Sequence, residues 1–260
     1  MLLSWFRDRR RQTLLAAPFP TWWEGFLAKN VAHYGLISPT EQTNLRNITR
    51  ILIAEKQWQG CGSLFVTEEM KVTIAAQAAL LLLGNDHRYF QHVRKVVVFP
   101  TEFRTPVAED GWEDDGLSET PLAGRAVDRG PVLLAWDEVL PEGRNPSGGV
   151  NVVIHEFAHQ LDFSERLTTR APPLGDGELE SRWQDILTTH FEQHHHAISR
   201  GKRNPLFTAH AADSLAEYFA NACEAFYCRP ATLKQLYPEV YRLLAAYFKV
   251  DPLAWFGRRG

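Results

Sequence analysis

Apolar residues recur along most of this chain at helical spacing. Leu45, Ile48, Ile51 and Leu52 share one face of a segment opened by Ser38-Pro39-Thr40-Glu41. Ser38 suits the N-cap and Pro39 the first helical position, so the pattern predicts a helix running to about residue 56. Residues 22–34, WWEGFLAKNVAHY, predict an amphipathic helix before it, and Trp58-Gln59-Gly60-Cys61-Gly62 breaks the pattern after it. Thr67-Glu68-Glu69 opens a third helix over 70–83. Its second half is almost wholly apolar, which predicts the central core helix of the N-terminal part.

The periodicity changes at residue 93. Residues 95–100, KVVVFP, predict a short buried strand stopped by its proline. Residues 123–127 predict a second strand. Residues 130–136, GPVLLAW, predict a third, either an exposed sheet edge or a core strand. Residues 103–115 read as an acidic loop and 137–149 as a Pro/Gly-rich connection. Helical spacing returns over 178–198 and 211–227, followed by two short helices at 231–235 and 238–248. The expected fold class is α+β, mainly helical, with a small mixed sheet. One domain is expected over 1–260, with a helical part to residue 92 and the sheet and remaining helices after it.

Composition narrows the field. A chain of 260 residues can bury a proper core, and 45% hydrophobic with 23% charged residues is ordinary for a globular protein. A net charge of −3 gives no basic field for nucleic acid. The longest apolar run, 75–83, is too short to cross a bilayer. At the N-terminus the charges follow the first apolar residues, the wrong order for a secretory leader. That stretch reads as a short amphipathic or unstructured lead-in. Cys61, Cys223 and Cys228 are odd in number and lack a framework spacing, so they read as reduced thiols of a cytoplasmic protein.

The chemistry is concentrated in residues 149–163, GVNVVIHEFAHQLDF. His155, Glu156 and His159 form H-E-x-x-H. On a helix the two imidazoles project from one face, one turn apart, and can hold one zinc ion. Glu156 then lies beside the metal's open position and can take a proton from a water there. The flanking Val152, Val153, Ile154, Phe157 and Leu161 predict a buried helix, where two His and a Glu without a partner would be costly. One zinc ion per chain is expected. His194, His195 and His196 are consecutive, do not share a helix face, and read as a solvated helix end.

A catalytic zinc needs a third protein ligand. Glu217, Asn221 and Glu224 lie near one face of the 211–227 helix. Glu217, in apolar surroundings, is the stronger candidate and Glu224 the alternative. Asp162 either orients a ligand His from behind or caps a loop.

HEFAHQLD and AADSLAEYFANACEAF, together with DGWEDDGL at 110–117 and GPVLLAW, resemble the Mlc titration factor A family. These are bacterial H-E-x-x-H peptidases of the gluzincin kind, similar in their catalytic part to the anthrax lethal factor metalloprotease domain. The resemblance implies a zincin-like fold in the cytoplasm. It implies Zn2+ held by His155, His159 and Glu217, with Glu156 as the catalytic base. It also implies aminopeptidase-like cleavage of peptides and binding of a transcriptional repressor, Mlc. Neither membrane nor nucleic acid is an expected partner.

Two positions depart from the family. Better-known members carry a His after the D-D-x-G-L stretch that can occupy the fourth metal position; here the matching residue is Glu119. They carry a Tyr seven residues before the ligand Glu; here that position is His210. His210 can donate the same hydrogen bond to an oxyanion, or be a polar loop residue. The rival expectations are a regulatory protein that titrates a transcription factor with little hydrolysis, and a structural zinc site closed by Glu119.

Overall fold

The computed structural model describes residues 2–85, 87–103, 123–128 and 130–257. Three segments of the N-terminal part follow the apolar spacing. Helix α2 (Thr21–Asn30) passes into a 3-10 turn over Ala32–Gly35. Helix α3 (Pro39–Glu55) begins with a capping box. Ser38 Oγ accepts the Glu41 N–H, and the Glu41 carboxylate accepts the Ser38 N–H at 2.7 Å. Helix α4 (Glu68–Leu80), capped by Thr67, is buried from Val72 to Leu80 and runs along α3. Its many alanines let the neighbouring backbones approach closely.

The lead-in is more ordered than its sequence suggested. Leu2–Ala16 forms helix α1, held against α3 by an Arg11–Glu55 ion pair at 2.7 Å and by bonds from Arg50 to the carbonyls of Leu14 and Ala17. The break at 58–62 also proves structured. Gln57–Gly60 is strand β1, which pairs in parallel with β2 (Lys95–Phe99).

The sheet has the order β1-β2-β4-β3, with β3 (Gly124–Ala126) antiparallel to β4 (Val132–Ala135). This corrects the edge expectation for GPVLLAW. That stretch is an interior strand, every residue of β4 buried, while among the described residues β1 and β3 are the outer strands. Four consecutive apolar residues signal burial on both faces, and that was the stronger cue. The connection after β4 is also helical, as α5 (Trp136–Arg144), despite Pro141.

Helix α6 (Val152–Glu165) carries the H-E-x-x-H residues and lies against α4, α5 and β3. Helices α7 (Gly177–Ser199) and α8 (Leu215–Cys228) follow, and α6 packs along α8. Helices α9 (Pro230–Leu236) and α10 (Pro238–Phe248) match the expected short terminal pair, and α11 (Pro252–Gly257) adds a last turn. One hydrophobic cluster runs from Leu27 on α2 to Trp255 on α11 and includes both faces of α8. The fold is thus α+β and mainly helical, with a small mixed sheet beside the H-E-x-x-H helix. No helix among the described residues is long and apolar enough to cross a membrane.

Candidate metal centre

Helix α6 starts where Asn151 accepts the Ile154 N–H at 2.9 Å, and this N-cap sets the rotation that turns His155 and His159 toward α8. Helix α8 starts at Ser214, whose Oγ accepts the Glu217 N–H at 3.1 Å. Ser-x-x-Glu there has the spacing of a capping box. The Glu217 carboxylate is instead turned to the two histidines.

Three side chains converge. His155 Nε2 lies 3.1 Å from His159 Nε2 and 3.1 Å from Glu217 Oε2, and His159 Nε2 lies 3.3 Å from Glu217 Oε1. Donors about 2.0–2.1 Å from one tetrahedral ion stand ~3.3 Å apart. The spacing therefore fits a single metal ion held by His155, His159 and Glu217, the group among the described residues that could hold one. Two imidazole nitrogens that face one another across 3.1 Å also need a proton or a cation between their lone pairs.

The histidines are oriented from behind. His155 Nδ1 bonds Glu224 Oε1 at 2.7 Å, and the other oxygen of Glu224 accepts the Asn151 N–H at 2.6 Å. With Nδ1–H given to a carboxylate, Nε2 is left as the donor lone pair. Asn151 in turn donates its side-chain N–H to Gln77 on α4 at 2.7 Å. Glu224, the alternative third ligand by spacing, is thus the partner of a ligand candidate. Asp162 is the loop cap: it accepts from the N–H and hydroxyl of Thr168 at 2.7–3.0 Å and does not touch either histidine.

Charge follows these contacts. Burial pushes the Glu217 carboxyl up, but the hydrogen bonds of His155, His159 and His210 outweigh it and hold it well below the usual carboxylate range. Burial lowers the His155 imidazolium, and the bonds to Glu217 and Glu224 raise it further, well above its ordinary value. Glu156 is buried, and among the described residues it accepts no hydrogen bond. Burial pushes it up to about 7, against the pull of His155 and His159.

His210 stands at the rim in a 3-10 turn, with Nε2 3.0 Å from Glu217 Oε2 and Nδ1 2.6 Å from Asp213 Oδ2. Its bond to Glu217, more than any other contact, raises it to about 9. Its loop is tied to α7 by two members of the His run. His194 bonds the Thr208 carbonyl at 2.9 Å and His195 the Ala212 carbonyl at 2.9 Å. His194 is buried, so the run is not simply a solvated helix end.

Two clefts adjoin at Glu156. One, of about 440 Å³, is lined by Gly124, Ala126, His159, Phe163 and Ala216 among others. The second, of about 300 Å³, is lined by Ala123, Gly124, Glu142, Val152, Asn221 and Glu224 among others. Strand β3 passes so close that a Cβ on Gly124 would fall 2.5 Å from Val152 Cγ2 and 2.6 Å from Glu156 Oε1. Glu119 lies outside the described residues, as does the DGWEDDGL stretch. Sequence reasoning missed Glu142, Gly124 and Asn151. Asn151 carried a usable signal, an N-cap residue just before an apolar run.

A mainly helical α+β fold that gathers two histidines and a glutamate beside a sheet edge defines a metallopeptidase-like protein. The chain belongs to the glucose-regulated metallo-peptidase M90 family, whose model matches residues 5–249. It is 29% identical to an uncharacterized protein of Synechocystis sp., over 95% of this chain and 90% of the relative. It is 28% identical to Mlc titration factor A of Yersinia pestis and of Yersinia pseudotuberculosis, over 87% of this chain and 84% of each relative.

Proposed function

We propose that the protein is a zinc-dependent peptidase with aminopeptidase-like action, working in the cytoplasm. The observation that carries this reading is the convergence of His155, His159 and Glu217 within 3.1–3.3 Å beside a buried carboxylate that has no other partner among the described residues. Zn2+ suits a set of two imidazoles and one carboxylate. When bound, it supplies Lewis acidity toward a water and a peptide carbonyl.

The chain's own residues supply the rest. Glu156, raised to about 7 by burial, takes a proton from the attacking water and hands it to the departing amine. His210, whose Nε2 faces Glu217 at 3.0 Å, would serve the oxyanion that forms at the carbonyl by turning its Nε2–H from that carboxylate. Glu224 holds His155 in register. The edge of β3 offers main-chain groups on which an extended peptide can lie, a role first expected of GPVLLAW. Zinc content and the turnover of aminoacyl and blocked peptide substrates, for wild type and Glu156→Gln, test the reading. One zinc per chain with turnover lost in the variant supports it. Retained turnover in Glu156→Gln removes Glu156 from the chemistry.

A second reading is favoured by the name of the Yersinia relatives, Mlc titration factor A. The protein would then bind a transcriptional repressor of the Mlc type through a surface away from the metal centre, with little hydrolysis. Repressor pull-down that is unchanged by His155→Ala would place that interface elsewhere.

A further inference from the structure

We infer that the smaller cleft selects a lysine or arginine side chain of the peptide, next to the bond that is cleaved, with Glu142 as its counter-charge. This rests on the peptidase reading and specifies its substrate class. The cleft is lined by the carboxylates of Glu142, Glu156 and Glu224 and, toward the metal cluster, by the imidazoles of His155 and His210, which Glu217, Glu224 and Asp213 already engage; among the described residues no Lys or Arg lines it. A cationic side chain is therefore favoured at the end of the smaller cleft that Glu142 lines.

The three carboxylates are not equivalent. Glu224 is committed to His155 and to the Asn151 N–H. Glu156 accepts the proton of the reaction. Glu142 uses one oxygen, Oε2, for the Val152 N–H at 2.6 Å, and among the described residues no Lys or Arg pairs with it. Burial pushes its carboxyl up to about 7, so ionising it inside the chain is costly and a cation in the cleft would offset that cost.

Size decides which cation. An ammonium group is about as large as a water, ~30 Å³, and would leave most of the roughly 300 Å³ empty. A long side chain fills it, laying its methylenes on Val152 and Ala123 with the charge at Glu142.

The test uses peptide pairs that differ only by Lys against norleucine, placed in turn at each position around the cleaved bond, with the N-terminus free or acetylated. Wild type should favour Lys at one position by roughly tenfold or more in kcat/KM. Glu142→Gln should bring that ratio close to one, because its side-chain carbonyl still accepts the Val152 N–H while the charge is gone. Equal handling of Lys and norleucine at every position, or a preference that survives Glu142→Gln, overturns the inference. A requirement for the free N-terminus without any Lys preference also overturns it, and gives the cleft to the terminal amine. Equilibrium binding of the same peptides to the Glu156→Gln protein, with and without Glu142→Gln, separates this inference from the peptidase reading. Absence of turnover in wild type counts against hydrolysis, whereas tighter binding of Lys than norleucine, lost with Glu142→Gln, upholds the cleft assignment. Equal binding overturns it.

Discussion

Glu224 accepts the Nδ1–H of His155 across 2.7 Å, and it stands two turns beyond Glu217 on the same helix. One face of α8 thus supplies both a metal-ligand candidate and the group that fixes another ligand's tautomer. Replacing such a partner typically weakens metal binding ~10–100-fold. Glu224→Gln is therefore expected to bind zinc at least about tenfold more weakly than wild type, measured by competition with a chromophoric chelator. Unchanged affinity would mean that the 2.7 Å contact does not orient the imidazole.

Gly124 leaves room for Glu156 that no other residue leaves. In Gly124→Ala the new Cβ would lie 2.6 Å from Glu156 Oε1, so the carboxylate must move. Peptide turnover should fall by roughly a hundredfold, the scale of a misplaced catalytic group, while zinc affinity stays at the wild-type value. Loss of zinc as well would place the damage in the metal cluster instead.

The metal should act as a rivet between α6 and α8, whose donors are separated by 62 residues in sequence. An ion that binds the folded chain alone stabilises it by RT ln(1 + [L]/Kd), about 4 kcal/mol at a thousandfold excess over Kd. Chelation should lower the thermal midpoint of wild type by several degrees and leave that of His155→Ala unmoved. The two chelator titrations, followed by circular dichroism, decide it.

Glu142 gives the fold a pH signature of definite sign. Its carboxyl is pushed up to about 7 from an ordinary value of 4.5. Between those values the folded chain binds more protons than the unfolded one, so this group's contribution falls as pH rises through that window and stays low above it. Glu142→Gln lacks the penalty. In urea unfolding with chelator present, the variant should gain on wild type by on the order of 2 kcal/mol between pH 5 and pH 8. A flat difference would show that water reaches Glu142 more freely than its burial implies.

What the sequence disclosed and what it concealed divide along physical lines. The capping box at Ser38 and Glu41, the apolar α4 and the buried valines of β2 are local patterns, each legible within a dozen residues. The spacing of His155, Glu156 and His159 is local too. The choice between Glu217 and Glu224 is not, because both lie on one face and only the approach of α6 separates their roles. Gln57–Gly60 gave no strand signal, since four residues held by pairing to β2 need no alternation of their own. Glu142 stayed hidden because much of its surroundings, Asn221 and Glu224, comes from a distant part of the chain.

Gln77, Asn151, Glu224 and His155 form a relay of hydrogen bonds, through the side chain and main chain of Asn151, from the last turn of α4 to the candidate metal cluster. The aim of the first imidazole is therefore decided in part some eighty residues upstream, by an amide in the most deeply buried helix of the N-terminal part. How tightly an ion is held there would then gauge how well the two halves are seated on one another. A fragment that starts at β2 would keep His155, His159 and Glu217 and lose the calibration.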